Sequence, residues 1–133
     1  MRNIAFVFSA AKSDYDTAIA DCIDATAGQG TLASFVSQSE VDLALSFLQA
    51  VTSNAQVWIG GQFTELDHDL YWVDGTTPVD FGYPYVSGEP TSGATELCLL
   101  QNTLNGRTLR RGLWQDEGCG TKRAALCMIL ADD

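Results

Sequence analysis

Four cysteines constrain this chain more than any other feature of its sequence. Cys22 stands alone in the first third, whereas Cys98, Cys119 and Cys127 all fall in the last. An even count in a short chain suits two disulfides formed in an oxidising compartment, and composition alone leaves three pairings open. A structural zinc site is the competing use of four thiolates. It needs closely spaced Cys or His pairs, yet no close Cys-x-x-Cys-type pair is present and His68 is the one histidine. Crosslinks also fit the size, because 133 residues are expected to make a single domain over 1–133 whose core gains from staples.

Seven basic against seventeen acidic residues give a formal charge of −10. Such a surface repels nucleic acid and anionic membranes and favours bound cations. No stretch approaches the roughly 20 apolar residues of a membrane-spanning helix, so no membrane insertion is expected. Met1-Arg2 and the apolar run 4–8 imitate a signal peptide, but the run is too short for its hydrophobic region and reads as a first strand. The cysteines point to a secreted, extracellular protein with any leader already removed.

After that strand, Ser13 reads as the N-cap of a helix running to about Ala27, with Asp14 and Asp16 in a first turn where the helix dipole favours acids. Gly28 and Gly30 break it, a short strand is expected over 32–36, and Ser37 or Ser39 caps a second helix. There Val41, Leu45, Leu48 and Val51 recur at near-helical spacing and mark a core-facing stripe, with Glu40, Asp42 and Gln49 toward water. From Val57 the period becomes that of strands, and 57–59 and 70–73 are expected to pair antiparallel across the polar stretch 62–69. Residues 74–96 are rich in Gly, Pro, Thr, Ser and Tyr without periodicity, and a connection of that length is expected to be functional. Segments 97–100 and 124–129 read as closing core strands. There are no internal repeats, and no asparagine sits in a glycosylation motif.

Along this scaffold six signals occur in order: Cys22 on the first helix, Trp58-Ile59-Gly60-Gly61, Trp72-Val73-Asp74-Gly75, Tyr85 and Gly88 leading to Glu89-Pro90-Thr91, then Cys98, then Trp114-Gln115-Asp116 ahead of Cys119 and Cys127. Over nearly the whole chain this resembles a C-type lectin domain of the short, single-domain kind found in invertebrates. The resemblance implies an α+β fold, with two helices flanking small antiparallel sheets and a long loop region. It implies the disulfides Cys22–Cys127 and Cys98–Cys119, and calcium-dependent binding of terminal monosaccharides on glycans. Carried over residue by residue, Glu89, Thr91, Glu96, Gln115 and Asp116 would hold one Ca2+ and contact the sugar. The three carboxylates match the family pattern, whereas Thr91 and Gln115 stand where the family carries asparagine. The resemblance also implies a cis bond before Pro90.

The chemistry of that set is coherent. Calcium takes about six to eight oxygen ligands, and a sugar with neighbouring hydroxyls completes the coordination while the same side chains hydrogen-bond those hydroxyls. In the family Glu-Pro-Asn goes with mannose-type and Gln-Pro-Asp with galactose-type sugars. Thr91 blurs this code, since a hydroxyl both donates and accepts. Some short single-domain lectins of marine invertebrates that this chain resembles carry a hydroxyl residue here and bind galactose, so galactose-type specificity is slightly favoured over mannose-type. An auxiliary second calcium is not expected, because Ser92 and Leu97 replace the family's further acids, although Asp67 remains. A single exposed sugar contact is weak, so a homo-oligomer, at least a homodimer, is expected. The alternative reading is a calcium-independent domain of the same fold that binds a protein surface.

Other features have plainer readings. Glu65, Asp67 and Asp69 imitate an EF-hand, but Trp72 occupies the position of its obligatory glycine. Trp58, Trp72 and Trp114 fall on strands and read as core, as does Tyr85, while Tyr83 and Phe81 are open candidates for a sugar-facing wall. Arg107, Arg110 and Arg111 read as a solvated loop balancing nearby carboxylates. No catalytic constellation is present, and Glu89 with Glu96 would need a deep cleft to act as a glycosidase pair.

Overall fold

The computed structural model describes residues 2–53, 56–64, 69–86, 97–103 and 112–131. Along the chain run β1 (Ile4–Ser13), α1 (Tyr15–Ala25), β2 (Gly30–Leu32), α2 (Gln38–Val51), β3 (Gln56–Phe63), β4 (Leu70–Trp72), β5 (Cys98–Asn102), β6 (Trp114–Glu117) and β7 (Arg123–Leu130). Among the described residues the strands join into one seven-stranded sheet of order β1-β7-β3-β5-β6, with β2 beside β7 and β4 beside β3. The first and last strands pair antiparallel from Ile4↔Leu130 to Ser9↔Ala125. The sheet is mixed rather than purely antiparallel, since β3 runs parallel to β7 at Val57↔Ala124 and Trp58↔Ala125.

Strand alternation sends successive side chains to opposite faces, and each face is covered by one helix. Leu32, Trp58, Leu100, Ala125 and Cys127 pack with Tyr15, Ala18 and Cys22 of α1. Val57, Ile59, Leu99, Trp114, Leu126 and Met128 pack with Val41, Ala44 and Leu48 of α2. All three tryptophans are buried, as their strand positions imply. At Gly60 the backbone itself makes the contact: its N–H donates to Ala33 O at 2.7 Å, and a Cβ there would meet the carbonyl oxygens of Leu32 and Ala33 at 2.8 Å.

The helices differ from the sequence expectation in their ends and in one face. Asp14, not Ser13, caps α1, accepting from Thr17 N–H. Those hydrogen bonds hold the Asp14 carboxyl below its ordinary pKa. Ser13 is instead drawn into β1, which runs farther than residues 4–8, and its hydroxyl donates to Asp21 at 2.7 Å. Ala25 ends α1, where Thr26 becomes the C-cap. The strand expected over 32–36 is Gly30–Leu32, since β7 offers partners only there. Ser37 caps α2.

On α2 the stripe is rotated: Ala44 is buried, whereas Val51 is 45 % exposed. Glu40, expected in water, is fully buried because Arg2 follows it in with bonds of 2.8 and 3.0 Å, and Val36 N–H donates to the same carboxylate. Buried charges persist when paired and hydrogen-bonded in this way. Apolar periodicity carries no signal of a cation arriving from another element.

Cys22 is bonded to Cys127, joining α1 to β7 across a separation of 105 residues, and Cys98 to Cys119 across 21. These are the pairs that the family resemblance implies.

Candidate functional site

Of the five residues assigned to a calcium and sugar site, Gln115 and Asp116 are described, while Glu89, Thr91 and Glu96 lie outside the described residues. So do Pro90, Glu65, Asp67, His68 and the three arginines at 107, 110 and 111. The structure therefore gives the platform on which such a site would stand.

That platform is β6 and its two neighbours. β6 pairs with β5 in the register Cys98↔Glu117, Leu99↔Asp116, Leu100↔Gln115 and Gln101↔Trp114. Alternation puts Trp114 and Asp116 on the α2 face and Gln115 on the other, so the two candidate ligands leave the strand in opposite directions. Asp116 is 4 % exposed, an unusual place for a carboxylate. On the other side of β6, Trp114 N–H donates to Pro84 O at 2.7 Å and Val86 N–H to Trp114 O at 2.8 Å. Tyr85 thereby forms a parallel bridge to Trp114. The segment that leads into 87–96 is thus stitched to β6 beside Asp116. At the far end of that stretch, Phe63 N–H donates to Leu97 O at 2.9 Å. Val86 and Leu97, the described residues on either side of 87–96, are both held to the sheet.

Aromatic rings reinforce the first anchor. Tyr83 stacks on Trp114 with ring centroids 5.6 Å apart, and Phe81 and Tyr85 meet the same indole edge-on, each at 6.1 Å. Such pairs add to the area they bury. Tyr85 is half-buried and packs on the core as its position implies, and Tyr83 and Phe81 join it. All three work as supports for Trp114. Burial raises the Tyr85 hydroxyl above the ordinary tyrosine pKa, and the neighbouring Tyr83, Asp116 and Asp80 raise it further. Burial and Asp80 raise Tyr83 in the same sense.

Gln115 is held by a chain of amides that sequence reasoning missed. Gln56 Nε2 donates to Asn102 Oδ1 at 3.0 Å, and Asn102 Nδ2 donates to Leu113 O at 3.0 Å and to Gln115 Oε1 at 3.2 Å. On the opposite face Gln101 accepts from Trp114 Nε1 at 3.1 Å. The available signal is the pair Gln101-Asn102 ending an apolar core strand: both are buried, and buried amides are there to bond something.

Among the described residues no three His, Cys, Asp or Glu side chains come together as a metal cluster. By chemistry the five-residue set suits calcium, being three carboxylates and two neutral oxygens, all hard ligands. Asp116 fits that role through its fixed place on β6. Gln115 fits it less directly, because its side chain leaves the opposite face of β6 and its oxygen already accepts from Asn102.

Comparison with known proteins bears on the whole chain. The family model described as Lectin C-type domain matches residues 11–129. Eosinophil granule major basic protein 2 of Cavia porcellus is 35 % identical over 106 residues, covering 74 % of this chain and 40 % of that protein. The chain thus spans about two fifths of that relative's length. Among solved structures, the cow C-type carbohydrate-recognition domain of CD23, determined in the presence of a GlcNAc2Man3 oligosaccharide, superposes with a TM-score of 0.76 at 24 % identity, covering 100 % of this chain and 93 % of that one. The calcium-independent C-type lectin SPL-2 from Saxidomus purpuratus superposes at 0.78 with 23 % identity, covering 98 % and 88 %.

Proposed function

Since the chain belongs to the C-type lectin domain family, whose members are binding proteins rather than enzymes, we propose that it binds terminal monosaccharides of glycans through one calcium ion held by Glu89, Thr91, Glu96, Gln115 and Asp116. The observation that carries this reading is Asp116: a carboxylate at 4 % exposure, on a strand to which the entry of the Glu89-to-Glu96 segment is hydrogen-bonded. Calcium, when bound, supplies a cation that accepts two sugar hydroxyls as ligands. The protein's share is to hold the carboxylates rigid and offer them to those hydroxyls as acceptors, with Thr91 and Gln115 adjusting which epimer fits. The hydroxyl at Thr91 favours galactose-type over mannose-type sugars.

Residues 1–133 form one recognition domain, secreted into an oxidising space where its two disulfides persist. One shallow contact is weak, so the working form is a homodimer or larger assembly that gains by avidity.

Titrating calcium into chelator-stripped protein by isothermal calorimetry, followed by galactose and mannose, tests the proposal. One-to-one calcium uptake, a sugar heat only in the calcium-loaded form, and loss of both in Asp116→Asn are expected. Acidification should release the sugar as the carboxylates take up protons. The second reading, a calcium-independent domain that binds a protein surface, is favoured by one observation: Gln115 already spends its oxygen within the fold. Absence of calcium uptake in the stripped protein would select it.

A further inference from the structure

A cavity of about 430 Å³ opens between the end of α1 and the strands β2 and β7, away from β6 and Asp116 in the sheet order. Its apolar wall is Ile23, Met128 and Leu130, with Ile23 44 % and Leu130 37 % exposed. Its polar wall is Thr31 and Asp74. Cavities of this size, mostly apolar with a few fixed polar groups, are the usual form of small-ligand sites.

The rim is rigid. Thr26 Oγ1 donates to Cys22 O at 2.8 Å and accepts from Gly30 N–H at 2.9 Å, closing the turn between α1 and β2. Gly28 takes φ +81°, its N–H donating to Ile23 O. Gly30 lies so close to β7 that a Cβ would collide with the Met128 carbonyl. The space is therefore built into the backbone.

Among the described residues, one group in the polar wall has no hydrogen-bond partner and the other no cationic one. Thr31 Oγ1 is buried with no hydrogen-bond partner among the described residues, and buried polar atoms normally have one. Asp74 accepts from Ser34 Oγ at 2.6 Å and from Thr76 N–H at 2.9 Å, both neutral donors. The nearby guanidinium of Arg2 reaches Ser34 and Thr76 but makes its ion pair with Glu40. Arg2 bonds no oxygen of Asp74, and among the described residues Asp74 has no ion pair.

We infer that this cavity is a binding site for an ammonium group on a short apolar stem, its charge on Asp74 and its stem against Ile23, Met128 and Leu130. A free aryl or alkyl amine and a lysine side chain presented by another protein share that chemistry. The site needs no calcium, so its fate is separate from that of the sugar site.

Titration of the full chain with 2-phenylethylamine, 2-phenylethanol and Nα-acetyl-lysine methylamide, followed by amide NMR shifts, tests the inference. Saturable shifts at Gly28, Gly30, Thr31 and Asp74 are expected for the amine, with the alcohol weaker by about tenfold or more for want of the charge-assisted bond. The better binder of the two ammonium compounds identifies the source. Asp74→Asn should weaken the amine to the level of the alcohol. Ile23→Trp, which narrows the mouth and leaves the Asp74 hydrogen bonds intact, should weaken both, whereas Asp42→Asn on exposed α2 should change nothing. Equal affinity for amine and alcohol, shifts spread over the acidic surface, or binding that survives Asp74→Asn and Ile23→Trp would overturn it.

Discussion

The two sides of the sheet are held by different forces. Around β7 the chain's ends meet in a long β1 ladder, α1 lies across them, and the Cys22–Cys127 bond ties the helix to the strand. Around β6 the ties are hydrogen bonds and ring contacts: the Gln56–Asn102–Gln115 amide chain, the backbone bonds to Pro84 and Val86, and rings gathered on Trp114. Apolar burial and long-range crosslinks resist unfolding without regard to direction, whereas hydrogen bonds fix orientation at little net stability. The β7 side is built to keep the domain folded and the β6 side to aim side chains.

The contrast is testable, and the largest effect comes from the disulfides. Replacing Cys22 and Cys127 by serine should cost about 5 kcal/mol, and replacing Cys98 and Cys119 about 3, because the closed loops differ in length; separations of 105 and 21 residues set that order. Urea unfolding of the two double variants measures both, and a reversed order would break the comparison. Next, Glu40→Ala should destabilise by about 3 kcal/mol by stranding Arg2. The near-isosteric Asp116→Asn should cost about 1 kcal/mol while abolishing calcium uptake in calorimetry.

The tyrosines give a pH test. Burial raises Tyr15 well above its ordinary pKa, with Tyr71 and Asp16 adding to it, and burial likewise raises Tyr85. A phenol whose folded pKa exceeds the unfolded value of about 10 contributes its full stability below that pH and loses it as pH rises toward the folded value. Unfolding midpoints should therefore fall above about pH 10. Tyr85→Phe should flatten the fall that belongs to the β6 side and leave the part due to Tyr15, whose hydroxyl donates to Ile59 O at 2.8 Å. A helix cap gives a purely structural effect: Ser37→Ala should lose about 1 kcal/mol in thermal melts and leave calcium uptake unchanged.

Much of the fold is legible in the sequence. The two helices, the buried tryptophans and the closing strands follow from periodicity, and the motif order points to the family. β3 and β4 do pair antiparallel, but through Gly61–Phe63 rather than residues 57–59, of which Val57 and Trp58 pair with β5 and β7 instead. The misreadings share one cause. Glu40 looks solvated until Arg2 arrives from the N-terminal segment. Val51 looks buried until the sheet proves not to reach it. The strand after α1 sits at Gly30–Leu32 because β7, contributed by the far end of the chain, offers partners there. At the candidate site the residue types were readable, but the support of Gln115 by Asn102 and Gln56 was not, since those amides lie on two other strands.

Local spacing and contiguous motifs are enough to read the two helices, most of the strands, the family and the chemical types available for a cation and a sugar. Packing of distant elements settles that Glu40 receives a cation from the chain, that Gln115 and Asp116 leave β6 on opposite faces, and that Asp74 is left facing a cavity. Those outcomes depend on which distant residues are brought within bonding distance, and a charge or amide finds its partner only once the sheet has closed around it.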